Sequence, residues 1–299
     1  MSVETETFAT AAEDHSSRSN LALAFLVLPK EKRRDMDVFY TFCRVVDDIA
    51  DSALLPARTK QEYLDAWKKN VTQPDGDPQP HRLGMQVREL MEKYRLTPGH
   101  FLEIIAGVEM DLAPVRYETW EQLRLYCHRV ASAVGLVSIE IFGYQDADCR
   151  GYALDLGLAL QVTNIIRDVA KDYANGRRIY LPREEMNRFG VTEEQIAGHQ
   201  EDAAFHGLIE FEAARAESFY QSAVAALPVA DRRSMVAAEI MREVYHRLLA
   251  RMRGDGFHVL TKSYRLGRLQ KLWAVAGAAL RNRIQGSARA AEDRHPKRG

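Results

Sequence analysis

The sequence is poor in cysteine, proline and glycine, and each shortage excludes a class of protein. Only 3 of its 299 residues are cysteines, and no two of them stand in a CxxC pair, which argues against a disulfide scaffold and a structural zinc site. The 18 glycines and 10 prolines are too few for a collagen-like or low-complexity chain and favour helix over sheet. We therefore expect a reduced, helical chain with a cytoplasmic location.

Long apolar runs are also missing. The longest cover residues 21–28 and 273–280, and each is shorter than the roughly 20 residues that a membrane-spanning helix needs. The first 19 residues are polar and acidic, unlike a secretory signal. The sequence predicts a flexible N-terminal tail over residues 1–16 and no membrane span.

Charge is balanced in total but not along the chain. Residues 240–299 carry 14 Lys and Arg against 4 Asp and Glu, whereas residues 1–239 carry 27 against 38. A basic C-terminal segment can attract phosphates or an anionic membrane surface, or it can be a solvated helix followed by a loose basic tail at 287–299. Nucleic-acid binding is not expected, because the acidic body would repel a phosphate backbone and no recognition motif is present.

Helical periodicity recurs along almost the whole chain. The predicted helices cover residues 30–51, 59–71, 83–94, 98–112, 119–142, 149–172, 203–226, 231–252 and 266–284. Strand-like alternation is nearly absent and the connections are short. The sequence therefore predicts one all-α domain over residues 17–286, built from roughly nine helices and larger than a four-helix bundle.

The first group of chemically active residues lies near the end of the first predicted helix. Asp47 and Asp51 are four residues apart, which places them on one face of a helix. Asp48 stands beside them, and Arg44 lies one turn earlier. Since the flanking residues are apolar, these carboxylates lie on a core helix, where they repel one another and lose hydration unless a cation compensates.

A second polar stripe has the same spacing. Asn164, Asp168 and Asp172 follow one another at intervals of four residues, Gln161 extends the stripe by a turn, and Arg167 lies alongside. A single Asp pair at this spacing is usually a solvated face or a salt-bridge partner. Two such stripes on apolar helices, each beside an arginine, are harder to explain in that way.

Facing each other across a bundle, the two stripes would form a cage of oxygen ligands. Hard oxygens without nearby His or Cys select Mg²⁺ or Mn²⁺ over zinc, and Mg²⁺ usually shares its ligand shell with substrate phosphates. Arg44 and Arg167 are suited to bind phosphate oxygens. The predicted chemistry is metal-assisted loss of diphosphate from an allylic substrate, with the carbocation protected from water by apolar walls.

Three motifs in this order resemble the squalene/phytoene synthases. They are VDDIAD at residues 46–51, YCHRVASAVG at 126–135 and QVTNIIRDVAKD at 161–172, the last followed by GRRIYLP at 176–182. The resemblance spans residues 17–273. It implies the all-α isoprenoid-synthase fold with a central active-site cavity, and head-to-head joining of two prenyl diphosphates through a cyclopropylcarbinyl diphosphate.

The resemblance also implies roles for individual residues. The implied metal ligands are Asp47, Asp48, Asp51, Asn164, Asp168 and Asp172. The implied catalytic residues are Arg44 and Arg167, near the diphosphates, and Tyr126, near the departing diphosphate and the proton-transfer step. The implied substrate contacts are Ser17, Arg18, Ser19, Gln161 and Tyr245, although relatives have a Ser-Phe pair where this chain has Asn20 and Leu21.

Two further residues have competing interpretations in the sequence. Asp111 follows an apolar helix, and we expect it to form a helix-end hydrogen bond rather than to face the cavity. Gly135 lies one turn after Ala131, and it either admits a prenyl chain or lets two helices approach.

The substrate expected from the resemblance is farnesyl diphosphate. Two molecules would give presqualene diphosphate, and NADPH is implied if the reaction continues to squalene. The alternative is a phytoene synthase that joins two geranylgeranyl diphosphates. Residues 130–143 resemble the squalene-forming enzymes slightly more closely. Because substrate and product carry long apolar chains, we also expect peripheral contact with the inner face of the membrane.

Overall fold

The computed structural model describes residues 24–73, 82–113 and 115–265, and helices dominate these ranges. An isolated bridge between Arg116 and Ile179 is their only β-type pairing. The α-helices that lie wholly within them are α1 (Lys30–Asp51), α2 (Ala57–Thr72), α3 (Arg82–Tyr94), α4 (Pro98–Glu109), α5 (Trp120–Cys127), α6 (Ala133–Phe142), α7 (Cys149–Ala174), α8 (Arg183–Phe189), α9 (Glu193–Ala197), α10 (Ala203–Ala226) and α11 (Val236–Gly254).

The all-α prediction is confirmed, with differences at particular elements. Helices α1 and α10 have the predicted bounds, and α4 ends in a short 3₁₀ turn at Met110–Leu112. The predicted helix 119–142 is interrupted by a π-helical segment, His128–Ser132, which joins α5 to α6. Helices α8 and α9 were not predicted. The predicted helix 266–284 and both tails lie outside the described residues.

Helix α7 is the centre of the bundle, packing against α10, α6, α11 and the π segment. Small residues allow the closest of these contacts. A Cβ added to Gly157 would lie 2.6 Å from the Cα of Ser132, and one added to Gly135 would lie 2.9 Å from the carbonyl oxygen of Ala153. The Ser132 hydroxyl donates a hydrogen bond to the Leu154 carbonyl at 2.8 Å. Of the two roles that the sequence allows for Gly135, close helix approach is therefore present, and Gly135 also lines the cavity described below.

The segment Trp120–Phe142 is the one helical stretch in the described ranges that is long and apolar enough to cross a membrane by length and composition. Half of its apolar window is buried inside the bundle, and residues from Tyr126 to Phe142 line the internal cavity. The core helix of a folded domain gives the same signal, so we interpret this segment as a wall of the cavity.

Candidate active site

A cavity of about 430 Å³ lies in the centre of the bundle, between α1, α4, α6, α7 and α11. Most of its walls are apolar side chains. Six of the residues predicted from the sequence reach it, namely Arg44, Asp47, Tyr126, Gln161, Asn164 and Tyr245. The central active-site cavity expected from the resemblance is therefore present.

The polar residues gather at one end of this cavity. Along α1 the lining runs from Met36 to Asp47, and along α7 it runs from Tyr152 to Asn164. Each of these walls therefore changes from apolar to polar toward the C-terminal half of its helix. The wall formed by α5 and α6 runs in the opposite sense, from Tyr126 to an apolar floor at its C-terminal end. The arrangement suits a substrate with a charged head and an apolar tail.

The first aspartate stripe lies at this polar end. Asp47 lines the cavity, and its side chain is exposed there. Burial, together with repulsion from Asp51, raises the pKa of the Asp47 carboxyl to about 7, although Arg44 opposes the shift. Arg44 itself lies 3.3 Å from the Asp48 carboxylate. Asp47 thus lacks the compensating charge that an ionised carboxylate requires here.

The second stripe likewise contains a carboxylate without enough compensating positive charge. Burial and repulsion from Asp168 raise the pKa of Asp172 to about 7. Asp168 is already paired, since the Nε of Arg167 donates a hydrogen bond to it at 2.9 Å. The Oδ1 atom of Asn164 is buried and has no hydrogen-bond partner. An unpaired oxygen and an under-compensated carboxylate therefore share one helix face.

These donors fit a hard divalent cation. A cation would restore the ordinary acidity of Asp47 and Asp172 and would satisfy the buried Asn164 oxygen. Within the described residues, no three His, Cys, Asp or Glu side chains form a complete metal cage. Mg²⁺ usually takes one or two carboxylates and completes its shell with water and substrate phosphates.

The Asp111 carboxylate contacts two tyrosines instead of forming the expected helix-end hydrogen bond, and Asp111 is not among the residues that line the cavity. The Tyr126 hydroxyl donates to Asp111 Oδ2 at 2.9 Å, and the Tyr180 hydroxyl donates to Asp111 Oδ1 at 2.8 Å. The two tyrosine rings stack with their centroids 5.1 Å apart. Burial raises the pKa of Tyr126 well above its ordinary value, so its hydroxyl stays protonated and donates near neutral pH.

Arg178 was likewise not predicted as a site residue. Its Nη1 atom lies 2.7 Å from Asp51 Oδ1, across 127 residues of sequence. Its charge also acts on Asp111 and Asp172. Arg178 and Tyr180 both lie in the motif at residues 176–182. The family resemblance rests partly on this motif but implied no role for either residue.

The remaining predicted residues are not among those that line the cavity. Arg167 has the Tyr245 hydroxyl beside it as well as Asp168. Ser17, Arg18 and Ser19, the predicted N-terminal phosphate contacts, lie outside the described residues.

The arrangement has the properties needed to ionise an allylic diphosphate. Arginines and carboxylates at the polar end can bind a diphosphate, with its counter-ions, and apolar walls can keep water from a carbocation. Tyr126 lies at the junction of the two regions. Its ring can stabilise a nearby cation through its π face, while Asp111 fixes its hydroxyl.

Comparisons with known proteins agree with this geometry. The family model for squalene/phytoene synthase matches residues 14–271. A phytoene synthase of Mycobacterium bovis is 33% identical over 278 residues, covering 92% of this chain and 90% of that protein. A presqualene diphosphate synthase of Rhodopseudomonas palustris is 34% identical over 255 residues, covering 85% and 90%. A crystal structure of a dehydrosqualene synthase with a bound ligand superposes with a TM-score of 0.77 at 25% identity, covering 94% and 98%.

Proposed function

The chain belongs to the squalene/phytoene synthase family, and on that premise we propose that it joins two farnesyl diphosphates head to head to form presqualene diphosphate. Family membership makes it a prenyltransferase-type synthase, with the all-α isoprenoid-synthase fold. Relatives are named both phytoene synthase and presqualene diphosphate synthase, so their names do not decide between a C20 and a C15 substrate. The choice of farnesyl diphosphate is therefore argued from the cavity.

The length of helix that lines the cavity supports this choice. Asp47 follows Met36 by eleven residues of continuous helix, a rise of about 17 Å at about 1.5 Å per residue. Asn164 follows Tyr152 by twelve, or about 18 Å. With carbon–carbon bonds of about 1.5 Å, an extended farnesyl chain spans about 14 Å and a geranylgeranyl chain about 19 Å. The shorter chain fits between the polar end and the apolar floor.

Divalent metal is part of the proposal. We assign Mg²⁺ or Mn²⁺ to the two stripes, with ligands from Asp47, Asp48, Asp51, Asn164, Asp168 and Asp172. When bound, the metal neutralises the diphosphate charge and makes it a better leaving group. Arg44 and Arg167 bind diphosphate oxygens, and the Nε atom of Arg44, which is buried without a partner, is available for such a contact. Tyr126 and the apolar walls orient the prenyl chain and exclude water.

Phytoene synthesis from two geranylgeranyl diphosphates is the alternative, and the 33% identical Mycobacterium bovis protein favours it. Further conversion to squalene with NADPH remains a prediction of the sequence resemblance alone and is not included in the proposal.

Product analysis tests the proposal directly. We expect purified protein with Mg²⁺ and labelled farnesyl diphosphate to form presqualene diphosphate, and with EDTA to form none. Efficiency with farnesyl diphosphate, measured as kcat/KM, should exceed that with geranylgeranyl diphosphate. A preference for the C20 substrate with phytoene as product would support the alternative, and condensation of neither substrate would contradict both.

A floor variant tests the depth argument separately. Met36→Ala lengthens the α1 side of the cavity and should shift the kcat/KM ratio toward geranylgeranyl diphosphate by about tenfold, the discrimination typical of a small change in an apolar pocket. Met85→Ala is the matched control, because Met85 is 44% exposed and does not line the cavity. An unchanged ratio in folded Met36→Ala protein would contradict control of chain length by this floor.

A further inference from the structure

The Arg178 side chain stands between the two aspartate stripes. It is only 17% exposed, and it reaches Asp51 on α1 from the connection between α7 and α8. The hydrogen bond to Asp51 is 2.7 Å long. Asp111 and Asp172 lie near enough for the same guanidinium to act on both of them. A single guanidinium therefore faces carboxylates from three parts of the chain.

The position of this charge suggests a role that depends on metal. Asp51 stands close to Asp47 and Asp111, so three like charges lie together at this end of the site. Arg178 supplies the positive charge on the Asp51 side. A divalent cation at Asp51 would need the same carboxylate oxygens and would be repelled by the guanidinium.

We propose that Arg178 is a built-in counter-ion that occupies Asp51 until a divalent cation replaces it, and that it thereby weakens and regulates metal binding. Arg178 is thus a positioning residue of the metal site. The inference rests on the proposed function only in treating Asp51 as a metal ligand. Its test uses metal without substrate, so its failure can be distinguished from a failure of the proposed reaction.

The main experiment measures binding of Mg²⁺ alone by isothermal titration calorimetry. Arg178→Gln should bind Mg²⁺ at least about tenfold more tightly than the wild type, since one nearby charge typically moves carboxylate acidity by about 1–3 pKa units. Arg178→Lys keeps the charge and should stay within about threefold of the wild type. Arg177→Gln is the matched control, because its side chain is 72% exposed and pairs with Glu193 instead.

Thermal unfolding separates this role from a purely structural one. In EDTA, Arg178→Gln should have a lower Tm than the wild type because its carboxylates lose their counter-ion. Saturating Mg²⁺ should then raise its Tm by more than it raises that of the wild type. Equal increments in the two proteins, or Mg²⁺ affinity of Arg178→Gln equal to or weaker than the wild type, would overturn the inference.

A measurement on the wild-type chain covers the case in which Arg178→Gln does not fold. Crystals grown in EDTA and crystals soaked in Mn²⁺ should differ at the ion pair. With manganese located at Asp51 by anomalous scattering, the Arg178–Asp51 separation should exceed 4 Å. Manganese bound there with the 2.7 Å contact intact would overturn the inference, as would manganese that never occupies Asp51.

Discussion

At the scale of single residues, the carboxylates of this site differ in how their charge is compensated. Asp168 is held by Arg167 and Asp51 by Arg178. Asp47 and Asp172 have weaker compensation, and burial raises the pKa of each to about 7. Identical side chains at identical spacing therefore differ in their counter-ions, because the counter-ion of each depends on the neighbours that the fold brings in.

The metal interpretation makes a direct prediction for these carboxylates. Asp47→Asn, Asp51→Asn, Asp168→Asn and Asp172→Asn should each lower kcat by at least about a hundredfold, as expected when a charge contact that stabilises the transition state is lost. Asn keeps the shape of Asp but not its charge, so circular dichroism should remain helical. Asp37→Asn is the control, because Asp37 is an exposed residue of the same helix, α1. Near-normal turnover in any two of the four variants would contradict the metal site.

The raised pKa values of Asp47 and Asp172 also predict a pH dependence of stability in the absence of metal. Because the pKa of Asp47 and Asp172 rises from 3.8 to about 7 on folding, the folded chain holds protons that the unfolded chain has released between these values. The free energy of unfolding should therefore fall as pH rises from about 4 to about 7 and then level off. Asp47→Asn should reduce this dependence, which comparison of its Tm with the wild type across pH 5–8 in EDTA would measure.

Magnesium provides the control for that pH dependence. Bound cation favours the ionised carboxylates, so saturating Mg²⁺ should raise Tm most at pH 8 and least at pH 5. A metal-induced rise that is equal at both pH values would show that these carboxylates do not bind the ion.

The site residues predicted from the sequence are those that belong to a pattern within one helix or one short motif. The four-residue spacing of Asp47 and Asp51 determines their common helix face, and Tyr126 was found through the motif around it. The contacts of Asp111 with Tyr180 and of Arg178 with Asp51 were not predicted, because these partners lie 69 and 127 residues apart in the chain. Spacing along one helix carries no information about contacts of that kind.

At the scale of elements, periodicity predicted the long helices well and the irregular segments poorly. The apolar stripes of α1 and α10 determine both helices to the residue. The π segment at His128–Ser132 was not predicted, because one wider turn hardly alters the spacing of apolar residues around it. Helices α8 and α9, of 7 and 5 residues, are too short for a reliable helical period.

The contact between α7 and the π segment predicts a contrast between two glycines of α7. In Gly157→Ala, the new methyl group would lie 2.6 Å from the Ser132 backbone, so we expect a loss of about 1–3 kcal/mol in the free energy of unfolding. In Gly151→Ala, the nearest atom is 3.8 Å away, and the better helix propensity of alanine should raise stability by up to about 1 kcal/mol. Urea unfolding would measure both. Equal effects would contradict the close packing of α7 on the π segment.

At the scale of the whole molecule, composition and periodicity were enough to predict an all-α bundle, whereas its central cavity was expected from the family resemblance. The depth of the cavity was not predictable in the same way. It depends on how far Met36, Phe142 and Tyr152 lie from the polar end, and therefore on which helices are neighbours and in which direction each runs. Chain-length preference is for this reason a property of the assembled bundle.

The last prediction concerns binding to a membrane, the expected source of substrates with long apolar chains. The basic tail at 287–299 lies outside the described residues, so the prediction rests on charge. Each basic side chain near an anionic bilayer can contribute about 1 kcal/mol, reduced by salt within a Debye length. We expect weak, salt-sensitive sedimentation with phosphatidylserine vesicles and none with purely zwitterionic vesicles. Deleting residues 287–299, or replacing Arg289, Arg294, Lys297 and Arg298 with Gln, should weaken sedimentation while turnover in detergent stays unchanged. Equal sedimentation of full-length and truncated protein would exclude the tail as the contact.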